Sequence, residues 1–516
     1  MHDNELSPWR PDRGDGTYQN PVLHADYSDP DIVRVGDDFY LVASSFNHMP
    51  GLPILHSTDL VNWQIVNHVL PCLALPGYDA FQPGKGVWAP SIRYHAGLFW
   101  VFFSTPDEGI FMCRTTDPLG EWSAPHCLKQ AKGWIDPCPF WDDDGRAWLV
   151  HAFAYSRSGI KHRLQLCAMS PDGQTLLDEG QALYDGSADL PTLEGPKLYK
   201  RHGWYYIFAP AGGVATGWQA VLRARSIQGP YEARKILSQG NTAVNGPHQG
   251  GWVELDNGES WFMHFQDAGT YGRLVHLQPL RWVDDWPVIA CGEPVERWVK
   301  PATALSRAPC EPRTSDDFLS ARPGLQWQWQ ANPQPYWASL DNRGLHLACE
   351  HLPLRDGQPS LYDAANLLLQ KFPAREFTLT TRMTADLRHD GEQAGIIIYG
   401  ERYAALSVQR SQGRYCLTWD TGWRGDGGEV NISKRDLVPW PDATPLYLRI
   451  TVRRDAICTF SYGADGQAFT LLPTAFAAGP GKWVGAKAGL FAVARNKGDG
   501  QAGTANFSFF TVSAAV

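Results

Sequence analysis

No segment of the chain is apolar for long enough to span a bilayer, which takes roughly 20 residues. The opening, MHDNELSPWRPDRGDGTYQ, is polar and lacks the apolar stretch of a secretion signal. The expectation is a cytoplasmic protein without a membrane partner, although a leader removed beforehand would leave the same sequence. CxxC pairs are missing as well. The ten cysteines, scattered from Cys72 to Cys458, form neither a disulfide framework nor a zinc pattern, so reduced structural thiols are expected. Long basic runs are absent and the net charge is -9, which argues against nucleic acid as the main partner, because phosphate binding needs a concentrated positive footprint. GxSxG, GxGxxG and P-loop motifs are also missing, which leaves serine-hydrolase, dinucleotide and nucleotide chemistry without support. No long helix stands out in either half.

What the chain does have is length and aromatic side chains. At 516 residues it exceeds what one hydrophobic core usually organises, so two domains are expected. Its 43% hydrophobic and 19% charged residues are those of an ordinary globular protein. The 22 Trp, 22 Phe and 19 Tyr suit β-structure. Such rings also stack on the apolar faces of sugars, but core packing accounts for most of them.

The first 300 residues repeat one grammar: an acid or aromatic near a proline, a strand, a polar turn, an aromatic-rich strand and a further strand pair. The units open DPDIVRVGDDFYLVASSF (Asp29 to Phe46), WAPSIRYHAGLFWVFFST (Trp88 to Thr105), DPCPFWDDDGRAWLVHAFA (Asp136 to Ala154), EGPKLYKRHGWYYIFAPAG (Glu194 to Gly212) and HQGGWVELDNGESWFMHFQD (His248 to Asp267). The steps between openings are 59, 48, 58 and 54 residues. A period of roughly 50 residues made of short strands predicts a β-propeller, here with five blades, over residues 1–300. The stretch PATALSRAPCEPRT, residues 301–314, reads as a linker. From 315 to 516 alternating strands such as FTLTTRM, AGIIIYG and YAALSVQR predict a β-sandwich of jelly-roll or lectin-like type. The fold class is all-β.

In a propeller the innermost strand of each blade opens beside the central channel, so corresponding openings converge on one face. Asp29, Trp88, Asp136, Glu194 and His248 are therefore expected around one pocket. A single Asp-Pro is an ordinary turn signal. Three acids at equivalent positions of three repeats are harder to dismiss. Like charges crowded at a channel are costly unless the site uses the repulsion to raise one pKa, which is what general acid–base hydrolysis requires.

These motifs, in this order, resemble glycoside hydrolase family 43. The string NPVLHADYSDPDIVRVGDDFYLVASSFNHMPGLPILHSTDLVNW is similar to the family's start, and WAPSI, IDPCPFWDDDG, EGPKLY and HQGGWVE to its later motifs. The C-terminal half resembles the accessory domain of the β-xylosidase branch. The resemblance implies that Asp29 is the general base, Glu194 the general acid and Asp136 the residue that raises the acid's pKa and orients it. Inversion follows: the base activates water on one side of the sugar while the acid protonates the leaving oxygen, with a separation of about 6.5–9.5 Å to admit that water. Arg273, Trp88 and Phe46 match residues that surround the sugar in the deepest subsite. Plainer readings exist for each, a surface salt bridge for Arg273 and inter-blade packing for Trp88 and Phe46. His248 matches a channel histidine that in several members helps hold calcium, often through water. A core histidine is the plainer reading, since calcium prefers oxygen ligands and no oxygen-rich cage is visible. No cofactor is required for the chemistry.

The resemblance thus implies an exo-acting hydrolase that removes terminal β-D-xylose from xylo-oligosaccharides or arabinoxylo-oligosaccharides. An α-L-arabinofuranosidase, or an enzyme with both activities, is the nearest alternative, and a non-catalytic carbohydrate-binding propeller is the alternative of another class. In the β-xylosidase branch a loop of the second domain closes the pocket. The aromatic-rich TWDTGWRGDGG is one candidate for it. Assembly into a homo-oligomer stays open.

Overall fold

The computed structural model describes residues 8–303, 308–425, 428–442, 444–496 and 500–515. Among these, the first half forms five four-stranded antiparallel sheets, each built from strands consecutive in sequence. Their innermost strands are Asp31–Val35, Trp88–His95, Trp134–Trp141, Lys197–Arg201 and His248–Glu254. The chain is thus a five-bladed propeller followed by a β-sandwich, the all-β architecture expected from the repeats. In blades two and three the second strand, Leu98–Thr105 or Ala147–Phe153, is buried along nearly its whole length, because it lies between sheets that pack face to face. Alternation of polar and apolar residues is lost there, as it is in any strand covered on both sides.

The ring is closed without swapping strands between the first and last blades. Thr17–Gln19 pairs with Arg297–Val299 in a two-stranded sheet, and Leu23 and Val275 exchange backbone hydrogen bonds of 3.2 and 3.1 Å. Inside the ring one charged contact ties the blades together. Asp31 of blade one is fully buried, and its Oδ2 accepts from Arg93 Nη1 of blade two at 2.7 Å and from the Ile92 N–H at 2.8 Å. Arg93 also donates to Cys138 Sγ of blade three at 3.1 Å and stacks over Tyr199 of blade four, 5.0 Å from the ring centre.

The second domain packs two sheets around a core that includes Leu379, Ile396, Leu406, Leu448, Phe460 and Leu490. One sheet runs from Gln328–Trp329 to Val430–Trp440 and the other from Ala338–Asp341 to Thr470–Leu471. Residues 304–307 of the expected linker lie outside the described residues. The part that follows runs against blade one, where the Cys310 N–H donates to Asn62 Oδ1 at 3.3 Å. The ten cysteines are free thiols.

The two domains are joined by main chain as well as by side chains. Met49 and Trp329 exchange hydrogen bonds of 3.0 and 2.6 Å, Asn47 donates to Gln330 O at 2.6 Å, and the Asn332 side chain both donates to and accepts from Leu73. Such a junction has little freedom to hinge, because any rotation breaks paired backbone groups buried away from water.

The Arg93 contact gives a test of ring cohesion. Asp31→Ala leaves a buried guanidinium without its carboxylate and is expected to cost about 3–5 kcal/mol. Glu179→Ala, at an exposed pair with Lys129, is expected to cost less than about 1 kcal/mol. Urea unfolding of the two variants checks this, and equal midpoints would refute the assignment.

Candidate active site

All five unit openings stand at the heads of innermost strands. Trp88 and His248 are first residues of their strands, Asp136 is the third residue of its strand, and Asp29 and Glu194 lie just ahead of theirs. The ring brings these five, with Phe46 and Arg273, to the walls of one cavity of about 400 Å³, a size suited to a small ligand. The backbone leaves the strand conformation at these points: Asp29, Asp136, Gln249 and Phe46 have φ of 54°, 55°, 47° and 52°. Left-handed non-glycine residues cost of order 1–3 kcal/mol each and persist only where the surroundings over-determine them. Ladder irregularities beside Asp136, Trp88 and His248 have the same effect, turning side chains that a regular strand would place elsewhere towards the channel.

Asp29 is the most tightly held of the acids. Its Oδ2 accepts from the Ser28 and Ser44 hydroxyls at 2.7 and 2.6 Å. Arg273 Nη1 lies 3.3 Å from Oδ1 and donates to Ser28 Oγ at 2.7 Å. Arg273 therefore forms an ion pair within the site, with its guanidinium 4.9 Å from the Phe265 ring centre. It is not a blade-surface salt bridge, being 7% exposed.

Asp136 lies deeper, 4% exposed, and its Oδ2 accepts the Gly195 N–H at 2.8 Å. Burial, followed by repulsion from Glu194 and Asp29, pushes its carboxyl up to about 8, against the opposing pull of the Gly195 N–H and Lys197. Asp136 is thus itself a raised carboxyl. The reason is depth. Asp136 belongs to a strand inside the ring, while Glu194 precedes its strand and keeps 24% of its side chain exposed.

Glu194 Oε1 is 2.9 Å from His248 Nε2. His248 Nδ1 is buried and meets no protein partner. These residues do not fit a calcium site by themselves. Among the described residues no group of three or more His, Cys, Asp and Glu side chains is placed to hold a metal, and one imidazole is not an oxygen cage.

Trp88 and Phe46 form one wall, with ring centres 6.5 Å apart. The Trp88 indole N–H donates to Gly84 O at 3.1 Å, and Phe46 and Val87 exchange backbone hydrogen bonds of 2.9 Å. Gly86 makes this approach possible, since a Cβ there would fall 2.1 Å from Phe46 O. Arg157 stacks on the Trp88 ring at 5.3 Å and pairs with Asp107 at 3.3 Å.

Several contributors had no signal in the motif reading. Lys197 is fully buried, donating to Pro90 O and Ser91 Oγ at 2.7 Å each. Ser28 and Ser44 flank motifs that were read for their acids alone. Among the described residues the sandwich contributes Trp483 to the cavity wall. Trp483 belongs to the segment GPGKWVG and not to the described part of TWDTGWRGDGG. The latter continues strand Arg414–Arg424, which pairs with Val430–Trp440; its residues 426 and 427 lie outside the described residues.

Comparison with known proteins places this geometry. The sequence model of glycosyl hydrolases family 43 matches residues 18–287, and that of the beta xylosidase C-terminal Concanavalin A-like domain matches residues 315–513. A Xylanibacter ruminicola protein that carries a provisional beta-xylosidase name is 40% identical over 489 residues, covering 93% of this chain and 86% of its own. A beta-xylosidase of Formosa agariphila is 32% identical, covering 93% of this chain and 88% of its own. The crystal structure of a xylan beta-1,4-xylosidase from Bacillus halodurans superposes with a TM-score of 0.85 at 26% identity, covering 96% of this chain and 99% of that one. A propeller with three acids on one cavity, continued by this second domain and matched along nearly the full length of such relatives, belongs to glycosyl hydrolases family 43.

Proposed function

We propose that the chain is an exo-acting, inverting glycoside hydrolase that releases terminal β-D-xylose from short xylo-oligosaccharides. The observation that carries the reading is the single cavity in which Asp29, Asp136, Glu194 and Arg273 meet, with Trp483 of the second domain on its wall. A cavity at one end of the channel, with Trp483 on its wall, suits the end of a chain better than its middle. The names of the relatives favour xylose as that end.

Asp29 acts as the base. Two hydroxyls and Arg273 fix its carboxylate, so that it accepts a proton from a water attacking the anomeric carbon. Glu194 acts as the acid. It is the most exposed of the three carboxyl groups, so it reaches the leaving oxygen, and His248 orients it. Asp136 is too deep to attack or protonate the sugar and serves the proton inventory of the cluster. Arg273 neutralises part of the negative charge and faces the sugar beside Asp29. Each transfer moves one proton, and the reading needs no cofactor.

Initial rates on aryl β-xyloside and aryl α-arabinofuranoside test the sugar, and a dominant arabinoside rate would overturn the assignment. Glu194→Ala is expected to lower turnover of xylobiose by about 10²–10⁴-fold. It should affect an aryl xyloside with a good leaving group much less, because that bond needs little protonation. Asp29→Ala should abolish both.

Asp136 makes a prediction of opposite sign for stability. Its folded pKa of about 8 lies above the unfolded value, so the folded state keeps a proton that the unfolded state releases. Stability from this group is full below about pH 4 and is lost as the pH rises to about 8. Asp136→Asn keeps an acceptor for the Gly195 N–H without the charge. The variant is expected to be inactive yet to melt above the wild type at pH 8, with the difference closing towards pH 4. A variant that melts lower at pH 8 would contradict the account.

A further inference from the structure

Asp26 lies three residues before the base and is 3% exposed. Its Oδ1 accepts the Arg273 N–H at 2.8 Å. Its Oδ2 accepts the Gly485 N–H, from the second domain, at 2.9 Å, with Lys487 Nζ at 3.8 Å. Three segments thereby meet, the Asp26 side chain against two closely packed backbones. A Cβ on Gly272 would fall 2.5 Å from Asp26 Cγ, and one on Gly485 would fall 2.6 Å from the Gly272 nitrogen. The contact continues one residue on, where the Ala486 N–H donates to Thr270 O at 2.7 Å.

Both hydrogen bonds lead into the cavity. Arg273, whose N–H is held by Oδ1, places its guanidinium on Ser28 and Asp29. Gly485, held by Oδ2, is two residues from Trp483, which lines the same cavity. One carboxylate thus fixes the second domain's loop and the propeller's arginine relative to each other. We propose that Asp26 is a positioning residue through which docking of the sandwich sets both Arg273 at the inner end of the pocket and Trp483 on its wall. Asp26 touches no sugar; it acts through these two residues. Only a carboxylate does this, since it offers an acceptor on each side. An amide offers one acceptor and turns an NH₂ group towards the remaining N–H.

The inference rests on the functional reading above, and its test separates the two. Xylobiose kinetics of the full chain are measured for Asp26→Asn, Trp483→Ala and the double variant. Asp26→Asn is expected to raise KM and lower kcat/KM by about tenfold or more, and to have a smaller effect on Trp483→Ala than on the wild type, because only the part carried through Arg273 is then left to lose. Asp26→Asn also leaves Lys487 buried without a carboxylate, which threatens folding. Asp26→Asn/Lys487→Met removes that charge. It should recover the melting temperature while KM stays raised, a split that a merely structural role would not produce. Effects that multiply in full, or a KM restored together with stability, would overturn the proposal while the functional reading stands. A wild type inactive on both xylobiose and aryl xyloside would overturn the functional reading and this proposal with it.

Discussion

The pairing of Arg273 with Asp29 is the contact on which the rest of the site depends. Three carboxyl groups share one cavity, and Arg273 supplies the cation in direct contact with one of them. Its side chain holds Asp29 with Ser28, and its backbone is held by Asp26, which also anchors the second domain. The base, the charge balance of the cavity and the docking of the sandwich therefore meet in one residue. Without such compensation a ring of five blades that points three acids inward would store repulsion at its centre. The structure keeps part of that repulsion deliberately localised, on Asp136, where burial and two neighbouring acids hold a proton near neutrality.

Why a propeller suits this arrangement follows from geometry. Each blade delivers the head of its innermost strand to one end of the channel, so residues far apart in sequence become neighbours without long loops. The cost appears locally, as left-handed backbone at Asp29, Asp136 and Gln249 and as irregular ladders beside them. The Asp31–Arg93 contact holds the blades that must bear this strain.

Much of this was legible in the sequence because it is periodic. Unit openings at Asp29, Trp88, Asp136, Glu194 and His248 could be aligned with one another, and a repeat that forms blades must bring its openings together. The fold class followed from the same period, and the sandwich from strand alternation after residue 315. What stayed hidden is carried by single contacts across the domain junction. Asp26 and Gly485 are 459 residues apart and belong to no shared pattern. Trp483 lies in a glycine-rich segment, while Trp419 and Trp423 of TWDTGWRGDGG belong to strand Arg414–Arg424. The depth of Asp136 was hidden too, because sequence gives the order of the acids and not their burial.

In the proposed reaction base and acid work on opposite sides of one terminal sugar, and the anomeric form released reports that arrangement. The arrangement is tested most directly by following xylobiose hydrolysis with proton NMR before mutarotation sets in. The account predicts that α-xylose accumulates first from the non-reducing end, the product of a single displacement by water activated at Asp29. First appearance of β-xylose from that end would mean retention through a covalent intermediate and would contradict it.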